Sequence, residues 1–224
     1  MTVSATVDVA RRLQEVRERI ARVAAGRRVE IVAVTKGFPP VVVDSAVAAG
    51  ITEVGENYAQ ELLSKVAAGA GGPSVRWHFI GAVQRNKIAG LAPHVALWQA
   101  VDRASVADAI ARHAPGAPVL IQVNLSGDAA RAGCSWADAP ELVAAARRAG
   151  LDVRGLMGVG PEGPPEESRP AFAALAELGR RLDLAELSMG MTGDLEVAVA
   201  EGSTMVRVGT ALFGPRPSAG DLQR

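Results

Sequence analysis

The chain is sparing with the side chains that chemistry most often uses. Its 224 residues include one Cys, one Tyr, three His and three Lys. A single Cys excludes an internal disulfide framework and any multi-Cys zinc site. One Tyr and three His leave few groups for acid–base work near neutral pH. Net charge is missing too: Lys+Arg and Asp+Glu number 24 each. Such a chain lacks the electrostatic footprint of a protein that binds nucleic acid or an anionic membrane. No apolar run approaches the roughly 18 residues of a membrane span, and the N-terminus shows no apolar signal-peptide core. These absences predict a soluble protein of the reducing cytoplasm, without metal, membrane or nucleic-acid partner; a monomer is expected, though nothing in the absences fixes the oligomeric state.

What is present is ordinary in amount and specific in order. Apolar residues make up 49% and charged residues 21%, which excludes disorder, a collagen-like repeat and a coiled coil. The length fits one domain or at most two small ones. No composition shift marks a boundary, so residues 1–224 are read as one domain, with 1–28 as an N-terminal helical segment packed on it. Val9, Leu13, Val16, Ile20 and Val23 recur at helical spacing, predicting an amphipathic helix over 9–25.

A unit then repeats. Short Val/Ile/Leu runs alternate with Ala-rich helical stretches. Strands are predicted at 29–35, 52–55, 75–80, 95–101, 118–124, 153–159, a very short one starting at Leu187, and 204–208. Helices are predicted at 40–49, 56–68, 84–91, 104–113, 137–149, 166–182 and 194–200. Strict alternation implies parallel strands joined by crossover helices. Eight units in about 200 residues predict a small α/β protein, a (β/α)8 barrel. An open doubly wound sheet is the alternative.

In a barrel the chemistry sits at the C-terminal ends of the strands. Three Lys among 24 basic residues leave 21 Arg, so the place of each Lys carries information. Lys36 ends the first, fully apolar strand. Desolvation there would lower its pKa and make it a usable amine nucleophile; a lysine that snorkels to the rim is the alternative. Ser188-Met189-Gly190 and Gly209-Thr210 follow strands seven and eight, where barrels often bind phosphate. A Schiff-base lysine facing a phosphate site suits pyridoxal 5′-phosphate (PLP) or a phosphosugar aldolase. Arg207 alternates with Val206 and Val208, so it points toward the helices or toward the mouth. An Arg beside a pyridine nitrogen would keep that nitrogen unprotonated. His78 reads as a structural residue, and His94 and His113 as surface residues. Cys134 reads as a small packed or loop residue. Tyr58 starts a helix and either packs there or sits over a cofactor. Lys87 reads as solvated.

Several stretches then carry a family resemblance. They are VAVTKGFP at 32–39, VGENYAQEL at 54–62, WHFIGAVQRNK at 77–87, QVNLSG at 122–127, VRGLM at 153–157, and ELSMGMTGDLEVAVAEGSTMVRVGTALFGPR at 186–216. They follow one another across almost the whole chain. The sequence closely resembles the PLP homeostasis proteins, PLP-binding relatives of the barrel domain of alanine racemase. The resemblance implies a TIM barrel of the alanine-racemase N-terminal type, preceded by an extra helix. It implies PLP on Lys36, Asn57 near the ring oxygen, and Ser188, Met189, Gly209 and Thr210 at the phosphate. It places Arg207 at the pyridine nitrogen. It implies buffering and delivery of PLP, with PLP-dependent apo-enzymes as receivers, a role in amino-acid and keto-acid balance, and no catalytic residues.

A PLP amino-acid racemase and a Schiff-base aldolase are the competing readings. The racemase route needs a second base on the opposite face, a Tyr from a second domain. The chain runs only eight residues past Arg216 and offers one Tyr, so the carrier reading is preferred. Gly37-Phe38, Ala82-Val83 and Gly158-Val159-Gly160 depart from the family pattern and bear on the shape of the mouth.

Overall fold

The computed structural model describes residues 3–128 and 130–216, with side chains from Asp8 onward. Eight strands form one closed, wholly parallel barrel in sequence order. They are β1 (Glu30–Val34), β2 (Glu53–Glu56), β3 (Arg76–Phe79), β4 (Val95–Val101), β5 (Pro118–Asn124), β6 (Asp152–Val159), β7 (Glu186–Met191) and β8 (Met205–Val208). β1 pairs with both β2 and β8, which closes the ring. The helices are α1 (Val3–Val23), α2 (Val41–Ala48), α3 (Ala59–Ala67), α4 (Ile88–Leu91), α5 (Ala104–His113), α6 (Ala139–Arg148), α7 (Arg169–Arg181), α8 (Leu195–Ala200) and α9 (Thr210–Phe213). None of the helices described is long and apolar enough to cross a membrane. The open-sheet alternative is therefore excluded.

Strand alternation sorts the side chains into two shells. On β8, Val206 and Val208 pack outward against Leu13, Val16 and Ile20 of α1. Met205 points inward, with Val32, Leu97, Leu120 and Met157. The interior is therefore a packed core, as expected of an eight-stranded barrel. Each fully buried aliphatic side chain of α1 contributes ~1.5–3 kcal/mol. α1 also reaches the loop after β7: Arg19 donates to the Thr192 carbonyl at 2.9 Å and pairs with Glu196 at 2.6 Å.

The boundaries differ from expectation in instructive places. β2 runs on to Glu56, so α3 starts at Ala59 rather than residue 56. The segment expected as a helix over 84–91 is a 3-10 turn at Arg85–Lys87 followed by the single turn of α4. β7 is six residues long, not a brief strand at Leu187. α9 was not anticipated: it is one turn, begins at Thr210 and stops at Gly214.

Candidate cofactor site

β1 delivers Lys36 to the C-terminal mouth. Thr35 is fully buried, and its N–H donates to the Gly55 carbonyl at 3.1 Å. The chain then turns sharply. Gly37 has φ +71°, the left-handed region, which explains why glycine stands there. Its N–H donates to Glu61 Oε2 of α3 at 2.7 Å. Lys36 is thus held between the end of a buried strand and a pinned turn.

Below that turn lies a polar clamp that sequence reading did not find. Glu56 and Lys65 are both buried and form an ion pair. Lys65 Nζ also donates to the Thr35 carbonyl at 2.7 Å, and Thr35 Oγ1 donates to Glu56 Oε1 at 2.6 Å. Burial pushes the Glu56 carboxyl up, against the pull of Lys65 and Thr35. Its second oxygen has no partner among the described residues. Lys65 is therefore committed to the strand and turned away from the mouth.

Lys36 instead lines a cavity of about 260 Å³ with Asn57, Thr192, Gly193, Arg207, Gly209, Thr210 and Arg216. Apolar walls come from Val34, Ile80 and Met157. Phe38 also lines it and leans on Phe213, ring centroids 5.5 Å apart. Desolvation holds the Lys36 ammonium below the usual lysine range, helped by the Arg216 and Arg207 charges and opposed by Glu56 and Glu61. Asn57 Oδ1 is buried there without a partner among the described residues.

Arg207 points inward, to the mouth rather than the helices. It is buried, and its Nη1 donates to the Ser188 carbonyl and Oγ, each at 2.7 Å. Its Nη2 donates to the Gly158 carbonyl at 2.9 Å. Burial brings its pKa down to about 10, so it stays charged at neutral pH. Gly158 is explained by packing: a Cβ there would lie 2.6 Å from Leu125.

Two residues expected at the cofactor lie outside the cavity lining. Ser188 and Met189 do not line the cavity, because β7 continues past them to Met191. Ser188 faces the barrel interior under Arg207, and Met189 faces the helix-side core with Phe172 and Leu175. The cavity is lined instead by Met191 at the end of β7 and by Thr192 and Gly193 of the loop that follows. Thr192 Oγ1 accepts from the Ala211 N–H at 3.3 Å, tying this loop to the one after β8. The signal for Thr192 was in the quoted stretch: a second hydroxyl four residues after Ser188.

The other polar residues fall away from the cavity. Tyr58 is exposed and lines a neighbouring hollow with Gln84 and Lys87. His78 is buried and structural, bonded to Glu53 and Gln99 at 2.6 Å each. His94 is half-buried and His113 exposed. Cys134 is buried and its thiol is pushed up to about 11, so it is a poor nucleophile. A larger cleft, about 490 Å³, runs between α1 and the start of β1. It offers arginines such as Arg27, already bonded to the Ser203 carbonyl at 3.3 Å, and no amine.

The arrangement can do three things. An amine of lowered basicity can condense with an aldehyde. Hydroxyls and backbone at the two linked loops can hold an anion. A fixed cation can face whatever lies between them.

Known proteins are similar to this chain in sequence and fold. The family model described as alanine racemase, N-terminal domain, matches residues 9–217. A pyridoxal phosphate homeostasis protein of Pseudomonas aeruginosa is 45% identical over 89% of this chain and 91% of its own length. One from Escherichia coli is 38% identical over 93% of this chain and 97% of its own. The structure of PipY from Synechococcus elongatus with PLP bound superposes with a TM-score of 0.80 at 33% identity. That match covers 92% of this chain and all of the other. Lys36 just past the C-terminal end of β1, the inward Arg207 and the paired loops thus sit in a chain that belongs to the alanine racemase N-terminal domain family, among its pyridoxal phosphate homeostasis proteins.

Proposed function

We propose that this protein binds PLP on Lys36 and serves PLP homeostasis as a carrier, without turnover. The observation that carries the reading is the Lys36–Arg207 pair in a cavity with no other group placed to exchange protons. The residues fit the group. Lys36 supplies the amine, and Thr192, Gly193, Gly209 and Thr210 would receive the phosphate. Arg207 would face the pyridine nitrogen, and the unpartnered Asn57 Oδ1 would meet a donor at the ring edge. When bound, the cofactor supplies an aldehyde for the lysine and a ring able to withdraw electrons.

The chain's own residues then argue for holding rather than reacting. A buried cation at the ring nitrogen opposes its protonation and weakens the electron sink. Among the described residues, the cavity lining contains no carboxylate, His or Tyr. Proton exchange on the face away from Lys36 therefore lacks a positioned group. PLP-dependent apo-enzymes are the receivers this reading requires, and the cytoplasm is its setting.

The test uses the loaded protein. Borohydride reduction should place a single label on Lys36, and an apo-enzyme added to the unreduced protein should gain activity. In D₂O, α-deuterium exchange on L- and D-alanine should be negligible. Exchange at ~1 s⁻¹ or faster, the range of ordinary enzymes, would replace the carrier reading with the racemase one.

A further inference from the structure

A line of polar side chains crosses the barrel interior, where the neighbouring positions are apolar. His78 on β3, Gln99 on β4, Ser188 on β7 and Arg207 on β8 are each buried, at 1%, 0%, 0% and 4% exposure. Around them stand Val32, Leu97, Leu120, Met157 and Met205. Polar groups in such a place are costly unless each is hydrogen-bonded. Here each is. Arg207 Nη1 donates to Ser188 Oγ at 2.7 Å, and Ser188 Oγ donates to Gln99 Oε1 at 2.7 Å. The Gln99 amide nitrogen lies 2.6 Å from His78 Nδ1, and His78 Nε2 lies 2.6 Å from Glu53 Oε2.

One set of bond directions gives every group in this line a partner. The Gln99 nitrogen also lies 3.1 Å from the Met205 sulfur, which has no proton to give. That orients the amide: its nitrogen donates to His78 and its oxygen accepts from Ser188. His78 Nδ1 must then be bare, with the ring proton on Nε2 and donated to Glu53. All four donors point the same way, from the Arg207 cation at one mouth to the Glu53 carboxylate at the other. Bonds aligned in this way polarise one another. The Ser188 hydroxyl is the key link. Because its proton is drawn to Gln99, its lone pair faces Arg207.

We infer that Ser188, Gln99 and His78 are positioning residues for Arg207, tying the cation that faces the cofactor ring to Glu53 at the opposite mouth. The inference rests on the PLP reading above and extends it to residues that never touch the cofactor. Loading the C-terminal mouth must then be felt at His78, inside the other end of the barrel.

The three histidines make this measurable in the unaltered chain. The protein is labelled with nitrogen-15 histidine and titrated with PLP. His78 should show the tautomer with a bare Nδ1, and its ring signals should move on loading. Those of His94 and His113 should stay. In Ser188→Ala the response at His78 should vanish, PLP should bind about tenfold more weakly, and the signal of nitrogen-15 at the PLP ring should shift. Should Ser188→Ala not fold, the titration of the unaltered protein decides alone. His78 signals unmoved by loading, or a Ser188→Ala protein that responds like the parent, would overturn the chain. Failure of PLP to label Lys36 would instead overturn the cofactor reading.

Discussion

The two mouths of the barrel are built from the same eight strands and enclose hollows of similar size, about 260 Å³ at the C-terminal end and about 280 Å³ at the N-terminal end. They differ in how charge is compensated. At the N-terminal mouth Glu53 meets Arg76 at 2.8 Å and His78 at 2.6 Å, and Arg154 meets Asp152 at 2.7 Å. At the C-terminal mouth no ion pair among the described residues includes Lys36, Arg207 or Arg216. Volume alone would not separate the ends. Cations left without a counter-charge in a half-buried hollow do, because they can receive an anion, and the Lys36 amine, once deprotonated, can receive an electrophile.

The largest effect should come from the amine itself. Lys36→Ala should abolish borohydride-trapped PLP while leaving the melting temperature of the apo-protein nearly unchanged. Lys65 cannot substitute, since it is buried and bound to Glu56 and Thr35. A label recovered on Lys65 or Lys87 would contradict the asymmetry between the clamp and the site.

Next comes the clamp. Lys65→Met leaves the Glu56 carboxylate buried without its cation, which should cost ~3–5 kcal/mol of stability. Glu56 already has a raised pKa from burial. A carboxyl raised on folding loses stability as pH rises through its folded pKa. The loss in Lys65→Met should therefore be greater at neutral pH than in mild acid. Urea unfolding at both pH values checks this, and adding Glu56→Leu should recover most of the deficit.

A smaller effect is expected at the anion side. Thr192→Ala and Thr210→Ala should each cost ~1.5–3 kcal/mol of PLP affinity. Pyridoxal, lacking the phosphate, should bind parent and variants alike. Equal losses for pyridoxal would move the phosphate elsewhere.

The smallest effect belongs to the other mouth. Arg76 is half exposed in its pair with Glu53, so Arg76→Ala should cost at most ~1 kcal/mol of stability. PLP affinity should not change, because His78 still holds Glu53. A large loss of PLP binding by calorimetry would erase the distinction between the two ends.

Much of this was legible residue by residue. Alternating apolar runs named all eight strands, and a lone Lys at the end of one of them marked the site. Ser188 and Met189, expected in a loop, lie within β7 for a local reason. The run after Leu187 contains Ser and Gly, which read as a loop, yet the strand persists to Met191, paired with β6 as far as Ser188 and with β8 again at Met191. Lys65 gave no signal at all. On a nine-residue helix it reads as solvent-facing, and only the packing of α3 against β2 turns it inward.

The sequence by itself determined the eight alternating strands, their order and the place of Lys36 at the end of the first, since hydrophobic period and strand ends are local properties. Tertiary structure alone decided which polar side chains meet. Glu53, His78, Gln99, Ser188 and Arg207 come from five strands spread over 155 residues of chain, from position 53 to 207. No spacing along the chain encodes their alignment. It arises when the closed barrel brings their inward-facing positions to one axis and burial makes every unpaired donor costly.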